Sequence, residues 1–371
     1  MNTRSFAWTP QRGGALMLCL LLGACATEVR RPGGPEVEVR PAEADTPSRP
    51  PRAATPVLQR LADEADALKP LAVSGLTLRF LEAVRALPPV SPRQVYINES
   101  TREYFSRAER DRLPEAQRAR VTAVELDEYR YYYTKYGSPL AYLRPIEIAA
   151  AHGLEDVAGR RILDFGYGSI GHLRVLASLG AHVAGIDPDS YLDALYAEPS
   201  DQGAVPPARG ARRGHPGTIT LAHGYWPKDA AVVDRVGQGF DLFLSKNTLK
   251  KGYVKPERRT DRRQQVNLGV PDEAFLRTVH QSLNAGGLFL IYNISPKQSD
   301  KGGYNPQADG RSPFTREQYE RAGFQVIAID LVDDAAVRAV GRALGWDKTQ
   351  SGEVTDLSQS IFAMYTLVKR P

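Results

Sequence analysis

The stretch RILDFGYGSIGHLRVLASLG, Arg161–Gly180, joins an apolar run, a glycine-rich turn and a second apolar segment with helical spacing. The first run predicts a β-strand, and the last predicts a helix that ends at Gly180. Between them, Gly166, Gly168 and Gly171 form the pattern GxGxxG. A strand, a glycine turn and a helix in this order are typical of nucleotide-binding α/β folds, although a tight turn without a ligand would look the same.

The rest of the C-terminal part alternates in the same way. Six further apolar runs predict strands: AHVAGID, TITLAHG, FDLFLSKN, LFLIYNI, FQVIAID and IFAMYTLVKR. Helices are predicted at about 271–283 and 333–344. This alternation predicts an α/β fold with a Rossmann-like, mostly parallel sheet of seven strands and helices on both faces.

The N-terminus has the three parts of an export signal in residues 1–24. Arg4 and Arg12 are its basic part, and ALMLCLLL is its apolar part, too short to span a bilayer. The following LGAC resembles the lipobox of bacterial lipoproteins, which implies lipidation of Cys25 and a membrane partner. We therefore expect a lipid-anchored protein of the cell envelope, at the outer membrane in a Gram-negative cell. If the leader is not used, we expect a cytoplasmic protein.

Three further segments follow the leader. Residues 25–57 are rich in Pro, Arg and Glu and predict a disordered tether. Residues 58–139 predict a helical N-terminal region, with one helix over about 119–135. Residues 140–371 form the predicted α/β domain.

Composition excludes several kinds of chemistry. The net charge of +5 is a mild excess and gives no strong nucleic-acid signal. Both cysteines lie within the first 25 residues, so the rest of the chain has no disulfide and no thiolate nucleophile. The six histidines form no HxxH or HExxH pair, and no metal site is predicted.

The residue two places before the first glycine indicates which nucleotide is bound. Asp164 stands there and would repel a pyrophosphate, but it would pair with the amino group of an amino-acid moiety. S-adenosylmethionine (SAM) carries such a group, whereas NAD does not. Asp187, at the end of the next predicted strand, can accept hydrogen bonds from both ribose hydroxyls.

These features resemble the class I SAM-dependent methyltransferases. The resemblance covers about residues 140–371 and rests on the ordered set DFGYG, GIDPD, FDLFLSKN and LNAGGLFLI. It implies SAM as cofactor, with binding residues Asp164, Gly166, Tyr167, Gly168, Asp187, Pro188, Gly224, Tyr225 and Ser245.

Two positions depart from the family pattern. Ile170 stands where a third glycine is usual, and Tyr225 stands near the place of an acid that contacts adenine. We expect Tyr225 or Trp226 to stack on the adenine instead.

Candidate catalytic residues lie in the loops that follow strands four and five. Lys246 and Asn247 are polar residues at a strand tip, where they could also act as caps. Asp309 and Arg311 lie in a long Gly/Pro-rich loop and could orient a small-molecule acceptor, or the neighbouring segment could simply start the next helix. Tyr136 and Tyr142 are candidates to close the pocket, and the basic stretch 250–263 is either a solvated loop or an anion-binding surface.

Three hypotheses remain open from the sequence. The chain is a SAM-dependent methyltransferase, a lipid-anchored binding module with a methyltransferase-like fold, or an NAD-binding protein, against which Asp164 argues. The leader conflicts with the first hypothesis because SAM is made in the cytoplasm.

Overall fold

In the computed structural model of the protein, the glycine turn joins a central strand to the helix that follows it. The structure describes residues 54–135, 137–211, 215–258, 260, 265–298, 303–349 and 351–371. The predicted signal peptide, Cys25, Tyr136 and the predicted tether as far as residue 53 lie outside the described residues. Among the residues described, no helix has the length and hydropathy needed to cross a membrane.

Strands and helices alternate through most of the chain. The described strands are β1 (Arg93–Asn98), β2 (Glu103–Phe105), β3 (Thr122–Leu126), β4 (Arg161–Phe165), β5 (His182–Ile186), β6 (Gly203–Val205), β7 (Gly217–Ala222), β8 (Phe240–Lys246), β9 (Leu283–Ser295), β10 (Gln325–Val332) and β11 (Phe362–Lys369). The described α-helices are α1 (Pro56–Leu68), α2 (Gly75–Ala83), α3 (Arg107–Arg112), α4 (Glu115–Arg118), α5 (Glu128–Tyr132), α6 (Leu143–Ala151), α7 (Gly171–Ser178), α8 (Ser190–Leu195), α9 (Ala230–Val236), α10 (Lys251–Val254), α11 (Asp272–Ser282), α12 (Arg316–Arg321) and α13 (Asp334–Ala343).

The large sheet has the strand order β10-β11-β9-β8-β4-β5-β7-β6. The inner pairs β9-β8, β8-β4, β4-β5 and β5-β7 are parallel, whereas β11 is antiparallel to both of its neighbours. The seven predicted strands are confirmed, and β6 adds an eighth at one edge, antiparallel to β7. This is a Rossmann-like α/β fold with a mostly parallel sheet.

The strand order creates a crevice at the ends of the central strands. From β4 the chain proceeds outward to β5 and β7, and then returns to the other side of β4 to form β8. In open parallel sheets, ligands bind beyond the carboxyl ends of the strands at such a switch point. The glycine turn follows β4 at this place.

Alternate residues of the central strands pack into two different cores. Leu242 and Leu244 of β8 join the cluster that contains residues of α1, α2, α6, α7 and α13. Phe243, which lies between them, joins the cluster with residues of α9, α11 and α12. Helices therefore cover both faces of the sheet, as the near-continuous apolar strands require.

The N-terminal region contains strands as well as helices. Helix α1 begins at Pro56, because the Thr55 side chain caps it by accepting a hydrogen bond from the Leu58 amide at 3.2 Å. Strands β2, β1 and β3 form a small antiparallel sheet in that order. The helix predicted over about 119–135 is wrong in its first half, where β3 pairs with β1, and only the short α5 follows.

A buried ion pair connects this region to the large sheet. Arg93 of β1 donates to both carboxylate oxygens of Asp201, at 2.7 and 3.0 Å, and Asp201 is 1% exposed. The Tyr131 hydroxyl also donates to Asp201, at 2.7 Å, and Arg174 of α7 lies 3.4 Å away. The N-terminal region is therefore anchored beside the helix that starts at the glycine turn.

Candidate functional site

A cavity of about 530 Å³ lies beyond the carboxyl ends of the central strands. Its size is in the usual range for small-molecule sites. The lining residues are Gly137, Ser138, Tyr142, Phe165, Gly166, Tyr167, Gly168, Ser169, Ile186, Asp187, Pro188, Gly224, Tyr225, Trp226, Lys246, Asn247, Thr248, Lys250, Tyr253, Gln265, Val266, Asn267, Ile294, Pro296 and Gln307. Seven of the nine predicted cofactor-binding residues are among them; Asp164 and Ser245 are not.

The glycine turn forms one wall of the cavity. Gly166 and Gly168 have φ values of 81° and 60°, which residues with a side chain adopt at a cost. The Gly166 amide donates to the Ile186 carbonyl at 2.7 Å and so holds the turn against β5. A Cβ atom at Gly166 would collide with the Thr248 side chain, which follows β8. Glycine is therefore required here for the close approach of two loops.

Asp187 places a carboxylate at the end of β5, in the wall of the cavity. Its side chain is 7% exposed, and Oδ1 accepts a hydrogen bond from the Asp189 amide at 2.9 Å. Burial, together with the nearby charge of Asp189, raises the pKa of Asp187 to about 7. A buried carboxylate with a raised pKa is stabilised by a ligand that supplies hydroxyl donors.

Aromatic side chains lie at the end of β7. Tyr225 is partly exposed, and its amide donates to Asp229 at 2.7 Å. Trp226 is 2% exposed and packs edge to face on Phe275, with ring centroids 5.6 Å apart. Both line the cavity, so this end offers an apolar surface to a flat ring.

Asp164 is fully buried and does not line the cavity. Its Oδ2 lies 2.7 Å from Nε2 of His172, which is also fully buried. Tyr142 stacks on the His172 ring, with centroids 3.5 Å apart. The structure thus places Asp164 behind the glycine turn, as a partner of α7, and does not bring it into the pocket with the other predicted cofactor-binding residues.

Ser245 is likewise buried and outside the cavity. Its hydroxyl accepts a hydrogen bond from the Leu249 amide at 3.2 Å, which shapes the loop after β8. Tyr167 lines the cavity, but it is only 1% exposed, and its ring lies near that of Tyr196. Ser245 therefore supports the pocket from behind, whereas Tyr167 forms part of its wall.

Lys246 and Asn247 both line the cavity, but they have different surroundings. The Lys246 ammonium lies 5.1 Å from the centre of the Tyr142 ring. Burial lowers the pKa of Lys246 to about 8, although nearby Asp164 opposes the shift. Asn247, at φ 63°, accepts from the Ile294 amide at 2.7 Å and so joins the loop to β9. This bond gives Asn247 a positioning role, whereas Lys246 faces the ligand space.

Asp309 and Arg311 do not join the other predicted residues. They form a two-pronged ion pair, with nitrogen–oxygen distances of 2.7 and 2.8 Å, and Arg311 also pairs with Glu257 at 2.7 Å. They line a separate, open depression with Tyr304. Arg311 is held by two carboxylates, so the structure gives neither residue access to the cavity at the glycine turn.

Several lining residues were not predicted from the sequence. The most prominent is Lys250, 3% exposed, whose ammonium donates to the Ile294 carbonyl at 2.6 Å and lies 3.4 Å from the Gln307 carbonyl. Burial, with the charge of Lys246 as a smaller cause, lowers the pKa of Lys250 to about 7. Nothing in its sequence neighbourhood, a basic loop, distinguishes Lys250 from solvated lysines.

No family model and no curated protein matches the sequence. Several solved structures are similar to it. The [4+2]-cyclase SpnF is 14% identical, with 86% of this chain and 98% of that chain covered and a TM-score of 0.36. A SAM-dependent methyltransferase from Mesorhizobium loti is 20% identical, with 62% and 98% covered and a TM-score of 0.32. A phosphoethanolamine N-methyltransferase 2 from Haemonchus contortus, in complex with phosphomonomethylethanolamine and S-adenosylhomocysteine (SAH), is 14% identical, with 68% and 62% covered and a TM-score of 0.35. The fold assignment itself rests on the strand order and connections of the sheet.

Proposed function

We propose that the protein is a SAM-dependent methyltransferase with a small-molecule acceptor. The observation that carries this proposal is the Asp187 carboxylate, buried in the cavity wall one strand away from the glycine turn. A carboxylate at this position suits the two hydroxyls of a ribose. The raised pKa of Asp187 supports the proposal, because hydroxyl donors would relieve the cost of burying its charge.

The other lining residues fit the remaining parts of SAM. Pro188, Gly224, Tyr225 and Trp226 offer the apolar surface that an adenine ring needs. The turn from Gly166 to Gly168 lets the backbone approach the chain that leads from the ribose to the amino acid. The SAM sulfonium supplies an electrophilic methyl group. Lys246 and Tyr142 would then lie at the acceptor end, where they orient the nucleophile and exclude water.

Calorimetric titration of the full chain with SAM, SAH and NAD tests this proposal. We expect binding of SAM and SAH, with a dissociation constant in the micromolar range, about −8 kcal/mol, and no binding of NAD. Binding of NAD alone would identify a dinucleotide site. Failure to bind any of the three would reject the methyltransferase and favour a non-catalytic binding module.

We also propose that the chain is exported and lipid-anchored through Cys25. The LGAC sequence after a short apolar run supports this proposal. Metabolic labelling with a fatty acid tests it in a bacterial host: the wild type should be labelled and found with membranes, and Cys25→Ser should be unlabelled. Unlabelled wild type in the cytosolic fraction would instead mean an unprocessed, cytoplasmic enzyme, where SAM is made.

A further inference from the structure

The acceptor end of the cavity contains two lysines, of which Lys250 is buried and Lys246 is partly exposed. Lys246 ends β8, and Lys250 lies four residues further along the loop. The Lys250 ammonium is held by the Ile294 carbonyl, whereas the Lys246 ammonium lies over the Tyr142 ring. Within the part of the chain that the structure describes, no carboxylate forms an ion pair with either ammonium group. Asp164 is the acid whose charge acts on Lys246, and it is already hydrogen-bonded to His172.

The strand order places Lys246 near the reacting end of the proposed cofactor. Asp187 follows β5 and Lys246 ends β8, and β4 with its glycine turn lies between these strands. Two strand spacings correspond to about 10 Å. A ligand whose ribose contacts Asp187 and which lies over the glycine turn therefore extends toward Lys246. In SAM the sulfur is bonded to C5′ of the ribose, so the positive charge lies over the glycine turn, about one strand spacing, roughly 5 Å, from the end of β8.

A sulfonium beside a lysine ammonium is unfavourable in a poorly solvated cavity. An anion placed between the two cations removes this repulsion and pairs with both. SAM itself carries a carboxylate, but its sulfonium and amino group leave it with a net positive charge. The acids whose charges act on the two lysines, Asp164 and Asp309, are already held by His172 and Arg311, so the acceptor is the remaining source of negative charge.

We propose that the methyl acceptor carries a carboxylate or a phosphate group, which pairs with Lys246 in the cavity. This inference rests on the proposed function and adds the chemical class of the acceptor to it. Lys250, fixed by backbone carbonyls, is a positioning residue, and an anion in the acceptor space would favour its charged form. In the transfer, a lone pair of the acceptor would form the new bond to the methyl carbon while the S–CH3 bond breaks with its electrons remaining on sulfur, and an acceptor N–H or O–H would release its proton to solvent. SAH would then no longer carry the repelled charge.

The difference between SAM and SAH provides a test that needs no known acceptor. Calorimetry on the full chain should show that Lys246→Met raises the affinity for SAM about tenfold, because the repulsion is lost, and changes that for SAH less than about threefold. In the wild type, inorganic phosphate or acetate should tighten SAM more than SAH, compared with chloride at the same ionic strength. Lys246→Met should lose this anion effect, and Lys246→Arg should keep it.

A control variant and a folding assay distinguish an effect at Lys246 from a general effect of losing a lysine. Lys251→Met removes a lysine that pairs with Glu257 at 2.9 Å outside the cavity, and it should behave as the wild type. Thermal unfolding of each variant verifies that it is folded. Equal weakening of SAM and SAH in Lys246→Met would overturn the inference, because Lys246 would then bind the carboxylate of the cofactor itself. No anion effect in the wild type would overturn it as well, and no binding of SAM or SAH at all would reject the proposed function first.

Discussion

Nε2 of His172 lies 2.7 Å from Oδ2 of Asp164, and both side chains are fully buried behind the glycine turn. Burial lowers the pKa of His172, so we expect a neutral ring whose Nε2–H donates to the carboxylate. Because the pair joins β4 to α7, it holds the turn in place from behind. Asp164, whose position in the sequence is typical of a ligand-binding residue, here supports the glycine turn through His172.

Asp164→Ala should therefore act first on stability. Loss of the buried hydrogen bond leaves the His172 ring without its acceptor, and we expect the free energy of unfolding to fall by about 1–3 kcal/mol. Urea denaturation measures this change. Asp63→Ala, on the exposed side of α1, serves as the control and should leave the midpoint nearly unchanged. An unaltered midpoint in Asp164→Ala would mean that the pair does not support the turn.

Asp187→Asn, in contrast, should weaken ligand binding and leave the protein folded. The carboxylate that faces the cavity is lost, so the affinity for SAM and for SAH should fall by about 10- to 100-fold. The shape of the side chain is kept, and the variant should remain folded. Calorimetry with both ligands measures the loss. Unchanged affinity would remove Asp187 from the cofactor site.

The ligand-free stability of Asp187→Asn should also depend on pH. The pKa of Asp187 is about 7 in the folded protein, above that in the unfolded chain, so the wild type loses stability as pH rises from about 4 to about 7. The asparagine of the variant does not ionise, so the variant does not lose stability in this way between about pH 4 and about pH 7. We expect it to be more stable than the wild type by roughly 4 kcal/mol at pH 8, with little gain near pH 4. Parallel stability curves for the two proteins would contradict the burial of this charge.

Gly166→Ala should lower the free energy of unfolding by more than the cost of the backbone conformation alone. At positive φ an added Cβ costs about 1 kcal/mol, and the collision with Thr248 adds roughly 1–3 kcal/mol. Gly345→Ala is a matched control, because its φ is 73° and no atom lies within 4 Å of the added Cβ. Urea denaturation should show a clearly larger loss at Gly166. Equal losses would mean that Thr248 moves aside freely.

Asp201→Ala should destabilise the contact between the N-terminal region and the large sheet. Among the residues described, the substitution leaves the buried Arg93 guanidinium with only the exposed Glu198, 3.5 Å away, as an ion-pair partner, and loss of a buried partner typically costs about 3–5 kcal/mol. Chemical denaturation measures the loss. Asp66→Ala removes an exposed partner of Arg85 and should have a much smaller effect. If the two variants have the same midpoint, the buried pair is not an anchor.

Arg311→Met should leave cofactor binding intact. Arg311 is held by Asp309 and Glu257 in a depression away from the glycine turn. We expect the affinities for SAM and SAH to stay within about twofold of the wild type, because no charge in the cavity is removed. A larger change by calorimetry would mean that this loop reaches the cofactor.

The fold could be predicted from the sequence because the patterns that indicate its strands and helices lie within short segments. The apolar runs that form β4, β5 and β8 are short and nearly continuous, and the glycine turn joins a strand to a helix. The exception is the stretch that contains β3. This strand pairs with β1, about thirty residues away, and its residues show no clear alternation of buried and exposed positions.

Site residues could be predicted from the sequence only where they follow the end of a predicted strand. Asp187 and Lys246 follow from their positions at the ends of predicted strands. Sequence position does not determine which way a side chain faces: Asp164, predicted to bind the cofactor, lies outside the cavity and is hydrogen-bonded to His172. Lys250 lies in a basic loop, and its burial depends on carbonyls of β9 and of a later loop, which only the folded chain brings together.

Trp226 makes it possible to follow ligand binding in this cavity by intrinsic fluorescence. The indole lines the ligand space, and the chain has only two other tryptophans, Trp8 and Trp346. Replacing both with phenylalanine would leave a single indole, whose fluorescence, excited apart from that of the tyrosines, responds to the polarity and stacking around it. Unlabelled compounds could then be sorted by emission change alone, first in the presence of SAH and then without it. Compounds that change the emission only when SAH is bound would be the first candidates for the proposed acceptor.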